Sequence, residues 1–150
     1  MILNNIKNNQ KKSGFTIVEL LVVIVVIGIL AAITIVSYTG ITAKANTAKA
    51  QSNAQSAQQV IEVYAADNSG AYPATLAAIS GYSGTTKMPA DITVSGGLVA
   101  TSADGTTVIR YATAGTTGGK LSYWDATSGG SSKTIYLGAA KSGDTFVAAS

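Results

Sequence analysis

The side chains best suited to chemistry are scarce in this chain and poorly placed for it. Its 150 residues include no histidine and no cysteine, so the many serines and threonines lack the usual bases that activate a nucleophile. Glu62 and Asp67 lie five positions apart, a spacing that on a helix does not bring two carboxylates face to face. Asp91, Asp104, Asp125 and Asp144 stand singly among turn residues, where capping is the commoner use, and none fits the spaced acidic loop that holds calcium. No phosphate-binding loop or nucleotide fingerprint occurs. The expectation is a protein that is no enzyme and holds no cofactor and no metal. One carboxylate is different. Glu19 sits inside a long apolar run, where an acid is costly and usually marks a function or a partner.

That run must be placed first. Residues 15–36 read FTIVELLVVIVVIGILAAITIV, with Glu19 as the one charge. About 20 apolar residues at a rise of about 1.5 Å span roughly 30 Å, the thickness of a bilayer core. Residues 1–14 are polar and carry Lys7, Lys11 and Lys12 without an acid. Lysines on that side keep the N-terminus in the cytoplasm and send the bulk of the chain out. A signal peptide removed after its apolar core is the weaker reading, because no small-x-small site follows; Ala31 and Ala32 run straight into Ile33. A plain single-pass anchor explains the length but not Glu19, unless that side chain reaches the headgroups.

Net charge says little more. The formal value is +3, from 10 Lys and Arg against 7 Asp and Glu, and the three leader lysines account for all of it. The remaining basic residues, Lys44, Lys49, Lys87, Arg110, Lys120, Lys133 and Lys141, are scattered rather than clustered as a phosphate-binding surface needs. Nucleic acid is not an expected partner on this ground.

The string Lys11-Lys12-Ser13-Gly14-Phe15-Thr16-Ile17-Val18-Glu19-Leu20-Leu21 closely resembles the type IV prepilin motif of the type IV pilin and pseudopilin family. The resemblance implies cleavage between Gly14 and Phe15 by a prepilin peptidase, N-methylation of Phe15, and retention of the apolar segment. It also gives Glu19 a role in register and assembly: its anion can pair, in a dry filament core, with the terminal amine of a neighbouring copy. A register that pairs two such charges is favoured over slipped ones. Gly28 matches the family's flexible glycine. The proline many members carry where this chain has Val36 is absent, so a kink there has no proline cause.

Beyond the membrane the helical pattern continues. Ala43, Thr47, Ala50, Ala54, Ala57, Ile61 and Tyr64 recur at spacings of four and three, one face of a helix. Lys44, Lys49, Gln51, Asn53, Gln58 and Glu62 fall on the other. Asp67-Asn68-Ser69-Gly70 is a stop signal, so one helix is expected from Phe15 to about Asp67. Ala65 to Pro73 also resembles the family's helix exit. A short helix is expected from Pro73 to about Ile79, tied to the core by Leu76.

From Gly96 the period changes to two. Segments 107–113, 120–124 and 133–137 read as strands between Gly/Ser/Thr turns, with a last short strand through 145–147. A strand near Leu98–Thr101 is expected to turn at Asp104-Gly105 into a hairpin, and short loops imply antiparallel neighbours. One sheet face collects Ile109, Tyr111, Leu121, Tyr123, Ile135 and Leu137 to cover the outer half of the helix. The other collects Arg110, Trp124 and Tyr136, a recognition patch, filler under a loop, or a subunit contact. Relatives commonly close their C-terminal loop with a disulfide; here packing and hydrogen bonds must suffice.

The organisation expected is a leader (1–14), a membrane or filament-core helix segment (15–36), an amphipathic half (37–70), a connection (71–95) and a sheet domain (96–150), an α+β pilin fold. The resemblance implies a structural subunit of a type IV pilus-like filament, a major pilin serving adhesion, twitching motility or DNA uptake. Its partners would be further copies of itself, the prepilin peptidase, an assembly ATPase, a membrane platform protein, and lipid before assembly. It would sit as a single pass in the cytoplasmic membrane, N-terminus in, and then in an extracellular fibre. The alternatives are a minor pilin or a secretion or competence pseudopilin, some of which hold calcium between loops, and a membrane-tethered binding module that never polymerises.

Overall fold

A computed structural model describes residues 14–84, 86–127 and 129–150. The leader residues 1–13, including Lys7, Lys11 and Lys12, lie outside the described residues. The chain divides into two units, the first ending at Tyr38 and the second running Thr39–Ser150.

Helix α1 is Ile17–Asp67, 51 residues. The first unit holds its apolar start, long and apolar enough to cross a membrane. Leu21, Val25, Ile29 and Ile33 are all exposed there, as a surface meant for lipid or other helices requires. Val36 lies within the helix. The helix stops where the sequence signals it: Ser69 and Gly70 both take positive φ, 56° and 86°, and the Gly70 amide closes back onto the Ala65 carbonyl at 2.7 Å.

In the second unit α1 packs its outer half with a five-stranded sheet. The strands are β1 (Thr93–Gly96), β2 (Val108–Thr113), β3 (Gly118–Asp125), β4 (Ser131–Gly138) and β5 (Val147–Ala148). Their order is β1-β2-β3-β4, and β5 also pairs with β2. Ile109, Tyr111, Leu121, Tyr123 and Leu137 are buried and meet Ala50, Ala54, Ala57 and Ile61 of α1, with Ile135 partly buried beside them. Small alanines let the helix lie close to the large sheet residues, and each buried Ile or Leu contributes about 1.5–3 kcal/mol. Tyr111 is fully buried, and its hydroxyl donates to the Pro73 carbonyl at 2.8 Å; burial pushes that phenol up to about 12. The short helix α2 is Leu76–Ser80, starting three residues later than expected because the Thr75 hydroxyl, not Pro73, caps it. Ile79 is buried, and Leu76 packs partly buried against the core.

Three expectations are corrected. The sheet is mixed: β1 runs parallel to β2, in register Thr93↔Val108 to Gly96↔Tyr111, whereas β2–β3, β3–β4 and β2–β5 are antiparallel. The strand near Leu98–Thr101 and its hairpin at Asp104-Gly105 do not form. Residues 97–107 instead make the crossover that a parallel pair requires. They pass over the outer sheet face, where the Ala100 amide donates to Ser132 Oγ (3.1 Å) and Ser122 Oγ donates to the Leu98 carbonyl (3.4 Å), then turn through a 3-10 segment at Ser102–Asp104. Asn53, assigned to the solvent face of α1, is buried because its amide donates to the Thr106 carbonyl at 2.7 Å.

The C-terminus is held without a disulfide. β1 and β5 share one edge of β2 end to end, and the Tyr111 carbonyl takes both the Gly97 and Ala149 amides. The chains come so close there that a Cβ on Gly96 would lie 2.0 Å from the Ala149 oxygen. Gly96→Ala is therefore expected to displace β5 and to destabilise the domain by about 1–3 kcal/mol. Hydrogen exchange reads it directly, with protection lost first at residues 147–149; unchanged protection there would refute the close-approach argument.

Candidate assembly site

The N-terminus of α1 is built by a capping box. Thr16 precedes the first helical residue, and its hydroxyl accepts from the Glu19 amide (3.2 Å). Glu19 reaches back, and Oε2 accepts both the Thr16 amide and the Thr16 hydroxyl, each at 2.8 Å. Two orphan donors of the first turn are thereby satisfied, and the carboxylate sits where the helix dipole favours an anion. The Thr-x-x-Glu spacing signals this arrangement in the sequence, but the apolar setting of Glu19 drew the sequence reading to charge pairing alone. Both bonds fall on Oε2. Oε1 has no partner among the described residues and can take a further donor while the cap stays closed.

Phe15 is 86% exposed. Gly14 beside it is exposed too, and a Cβ placed on it would meet nothing within 4 Å. Steric access to the bond between them is open. Gly28 lies inside α1 with equally open surroundings, so a neighbouring helix can approach its backbone closely without a side chain in the way.

The outer sheet face is organised differently. Arg110, Trp124 and Tyr136 share that face but fall on three successive cross-strand rows. Trp124 pairs with Ser132, Arg110 pairs with Ser122, which pairs with Thr134, and Tyr136 pairs with Lys120. Arg110 is engaged inward: it ion-pairs with buried Asp104 and donates to Ser95 Oγ and the Gly96 carbonyl, both at 3.2 Å. Burial alone would push the Asp104 carboxyl up. The Arg110 guanidinium and the Thr101 amide together outweigh it and hold Asp104 below the usual carboxylate range. Trp124 packs beside Gly130, where a Cβ would lie 2.3 Å from its ring. Tyr136 is 40% exposed and neighbours Phe146 at 6.1 Å between centroids, with Lys120 Nζ 4.8 Å over the Phe146 ring.

Asp125 and Asp144 are strand-end and turn fasteners. Asp125 accepts from Thr47 Oγ1 (2.9 Å) and from the Thr127 amide and hydroxyl, and the Thr127 bonds hold its carboxyl low. Asp144 accepts the Lys141 amide at 2.8 Å. Among the described residues no cluster of three acids, histidines or cysteines comes together. A cleft of about 330 Å³ between α2 and residues 88–94 is lined by Leu76, Ile79, Met88, Pro89, Ile92 and Val94.

Residues 9–35 match the family profile described as the prokaryotic N-terminal methylation motif. The chain thus carries a prepilin-type N-terminal segment, consistent with the type IV pilin and pseudopilin family. Curated relatives agree. The proteins named Type II secretion system core protein G are 36% identical in Vibrio cholerae over 69 residues, 46% of this chain and 47% of that protein. The Aeromonas hydrophila protein of that name is 38% identical over 66 residues, 44% of this chain and 46% of the relative. The corresponding figures for Pectobacterium carotovorum are 35% over 69 residues, 46% and 44%. The chain spans a little under half the length of these relatives. No solved structure matches.

Proposed function

We propose that the chain is a structural subunit of a type IV pilus-like filament, cut after Gly14 and polymerised through α1, with no catalytic role. The observation that carries this is the Thr16–Glu19 box at the head of an exposed apolar helix, one residue past an open Gly14–Phe15 bond. After cleavage the new amine at Phe15 is cationic. In a dry core it needs an anion, because a buried unpaired charge costs several kcal/mol. Glu19 of an adjacent copy supplies one through Oε1 while its own helix remains capped. Before assembly the apolar segment rests in the cytoplasmic membrane; prepilin peptidase, an assembly ATPase and a platform protein would process and extract it.

A major pilin of a surface fibre, serving adhesion, twitching motility or DNA uptake, is the first reading. The names of the relatives favour a second, a secretion pseudopilin building a short fibre. Abundance separates the two, since a major pilin dominates the protein of sheared surface filaments.

Mass spectrometry of sheared fibres tests the proposal as a whole. The first peptide is expected to begin at Phe15 and to carry one added methyl group on its amine. A mature chain that keeps Lys11 and Lys12, or occurs only as single molecules in the membrane, would instead fit a tethered binding module.

A further inference from the structure

A small cavity lies where α1 meets the crossover and the end of β3. It holds about 170 Å³ and is lined by Asn46 of α1, by Ser102, Gly105 and Thr106 of the crossover, and by Trp124 and Ala126 at the strand end. Its walls are tied together. Thr47 Oγ1 donates to Asp125 (2.9 Å) and accepts the Ala126 amide (3.0 Å), which fixes the helix to the strand end. The Asn53 amide donates to the Thr106 carbonyl at 2.7 Å, which fixes the same helix to the crossover. A site pinned on three sides in this way is formed before any ligand arrives.

The polar groups around the cavity are idle, unlike those that tie its walls. Asn46 and Ser102 are exposed, and Thr106 and Trp124 are half-buried. Among the described residues none of these four side chains has a hydrogen-bond partner. The buried side-chain nitrogens and oxygens there are all partnered, so the unpartnered Nε1–H of Trp124 is open to solvent. Among the described residues no charged side chain lines the cavity. What remains is one aromatic surface with an amide, two hydroxyls and an indole N–H around it, all uncommitted.

We propose that this cavity binds one pyranose ring of a neutral sugar, with Trp124 as its apolar surface and Asn46, Ser102 and Thr106 as its polar rim. Each part of the ligand has its counterpart. The face of an indole carries negative charge density, and the C–H bonds of a sugar are polarised positive by the oxygens on their carbons, so the two attract. A sugar hydroxyl donates and accepts; so do the Asn46 amide and the Ser102 and Thr106 hydroxyls. A phosphate, a carboxylate or an amine would find no counter-charge in the lining. Size narrows the class further. At about 30 Å³ of liquid volume per water the cavity holds about five or six waters, which is room for one sugar ring and too little for a nucleotide or a peptide. The assignment does not depend on polymerisation.

The chain has one tryptophan, so its fluorescence reports on this cavity alone. The full chain is titrated, in a zwitterionic detergent with no sugar headgroup, with glucose, galactose, mannose and N-acetylglucosamine. Sorbitol, which has the hydroxyls but no ring, is the control. At least one of these sugars is expected to shift the emission and to saturate at about 1–10 mM, the affinity that about a dozen non-hydrogen atoms provide. Asn46→Ala with Ser102→Ala is expected to weaken that affinity at least about tenfold. Both side chains are exposed and unpartnered, so the melting temperature should stay at that of the parent. The methyl glycoside of the sugar that binds separates two sources. Equal affinity marks the end of a glycan chain and a lost response marks a free sugar, and both support the site. No saturation with any of the sugars by about 100 mM overturns the proposal. So does an equal response to sorbitol, or an affinity unchanged in the double variant.

Discussion

Glu19→Gln is expected to insert, to be cut after Gly14, and to enter filaments about a hundredfold less well than the parent chain. The substitution separates two jobs that one carboxylate performs. As a cap, Glu19 accepts the Thr16 amide and hydroxyl through Oε2, and a glutamine oxygen does this nearly as well. As a counter-charge it cannot be replaced by an amide. If a neighbour's amine is buried against it, losing the charge leaves that amine uncompensated, at a cost of about 3 kcal/mol or more per subunit. Glu19→Ala should assemble as poorly and should also fray the first turn, an added loss of about 1 kcal/mol in helix stability. Thr16→Val is the converse control, since it removes the cap and keeps the charge. It should assemble far better than Glu19→Gln. Immunoblots of membrane and sheared fractions give both numbers from one culture. Parent-level fibres from Glu19→Gln would show that the acid serves its own helix only, and the pairing argument would be lost.

What the sequence disclosed follows from the range of the interactions concerned. The length of α1, its stop at Asp67 and the central strands rest on local periodicity and turn residues, and these read directly. The Thr-x-x-Glu box is local too and was readable from spacing. β1 was not. Thr93-Val94-Ser95-Gly96 is too short to show a period, and its parallel partner becomes apparent only when residues 97–107 are seen to cross the sheet. Asn53 looked like surface because polar residues on a helix usually are; its partner, the Thr106 carbonyl, lies 53 residues away. Arg110 read equally as patch, loop filler or subunit contact, and only the crossover, which lays Asp104 against it, selects the loop. On the outer face the alternation rule put Arg110, Trp124 and Tyr136 on one side, and the strand register spreads them over three rows. Side is encoded by period two; lateral neighbourhood depends on register, which the sequence expresses weakly.

Arg110 supports the second large effect, because its partner is far more buried than it is. The Asp104 side chain keeps 2% of its exposure against 28% for Arg110. Truncation to Arg110→Ala therefore strands a carboxylate, with the Thr101 amide (2.7 Å) and hydroxyl (3.3 Å) as its remaining bonds. A loss of about 3 kcal/mol is expected, or a fall of roughly 10–20 °C in the melting temperature of the domain. The pH dependence identifies the cause. Asp104 is held low in the folded chain, while an unfolded aspartate titrates near 3.9, about the ordinary value. Its contribution is then complete above that value and disappears as pH falls through the depressed folded one. In Arg110→Ala the guanidinium no longer holds the folded carboxyl down, so acidification weakens the parent more than the variant. The gap between them should be constant from about pH 6 to pH 8 and should close below about pH 4. Adding Asp104→Asn to Arg110→Ala should recover most of the loss at neutral pH, since no buried charge then remains. Equal melting of Arg110→Ala and the parent at pH 7 would mean that the crossover needs no ionic pin, and that packing of residues 97–107 on β3 and β4 holds it alone.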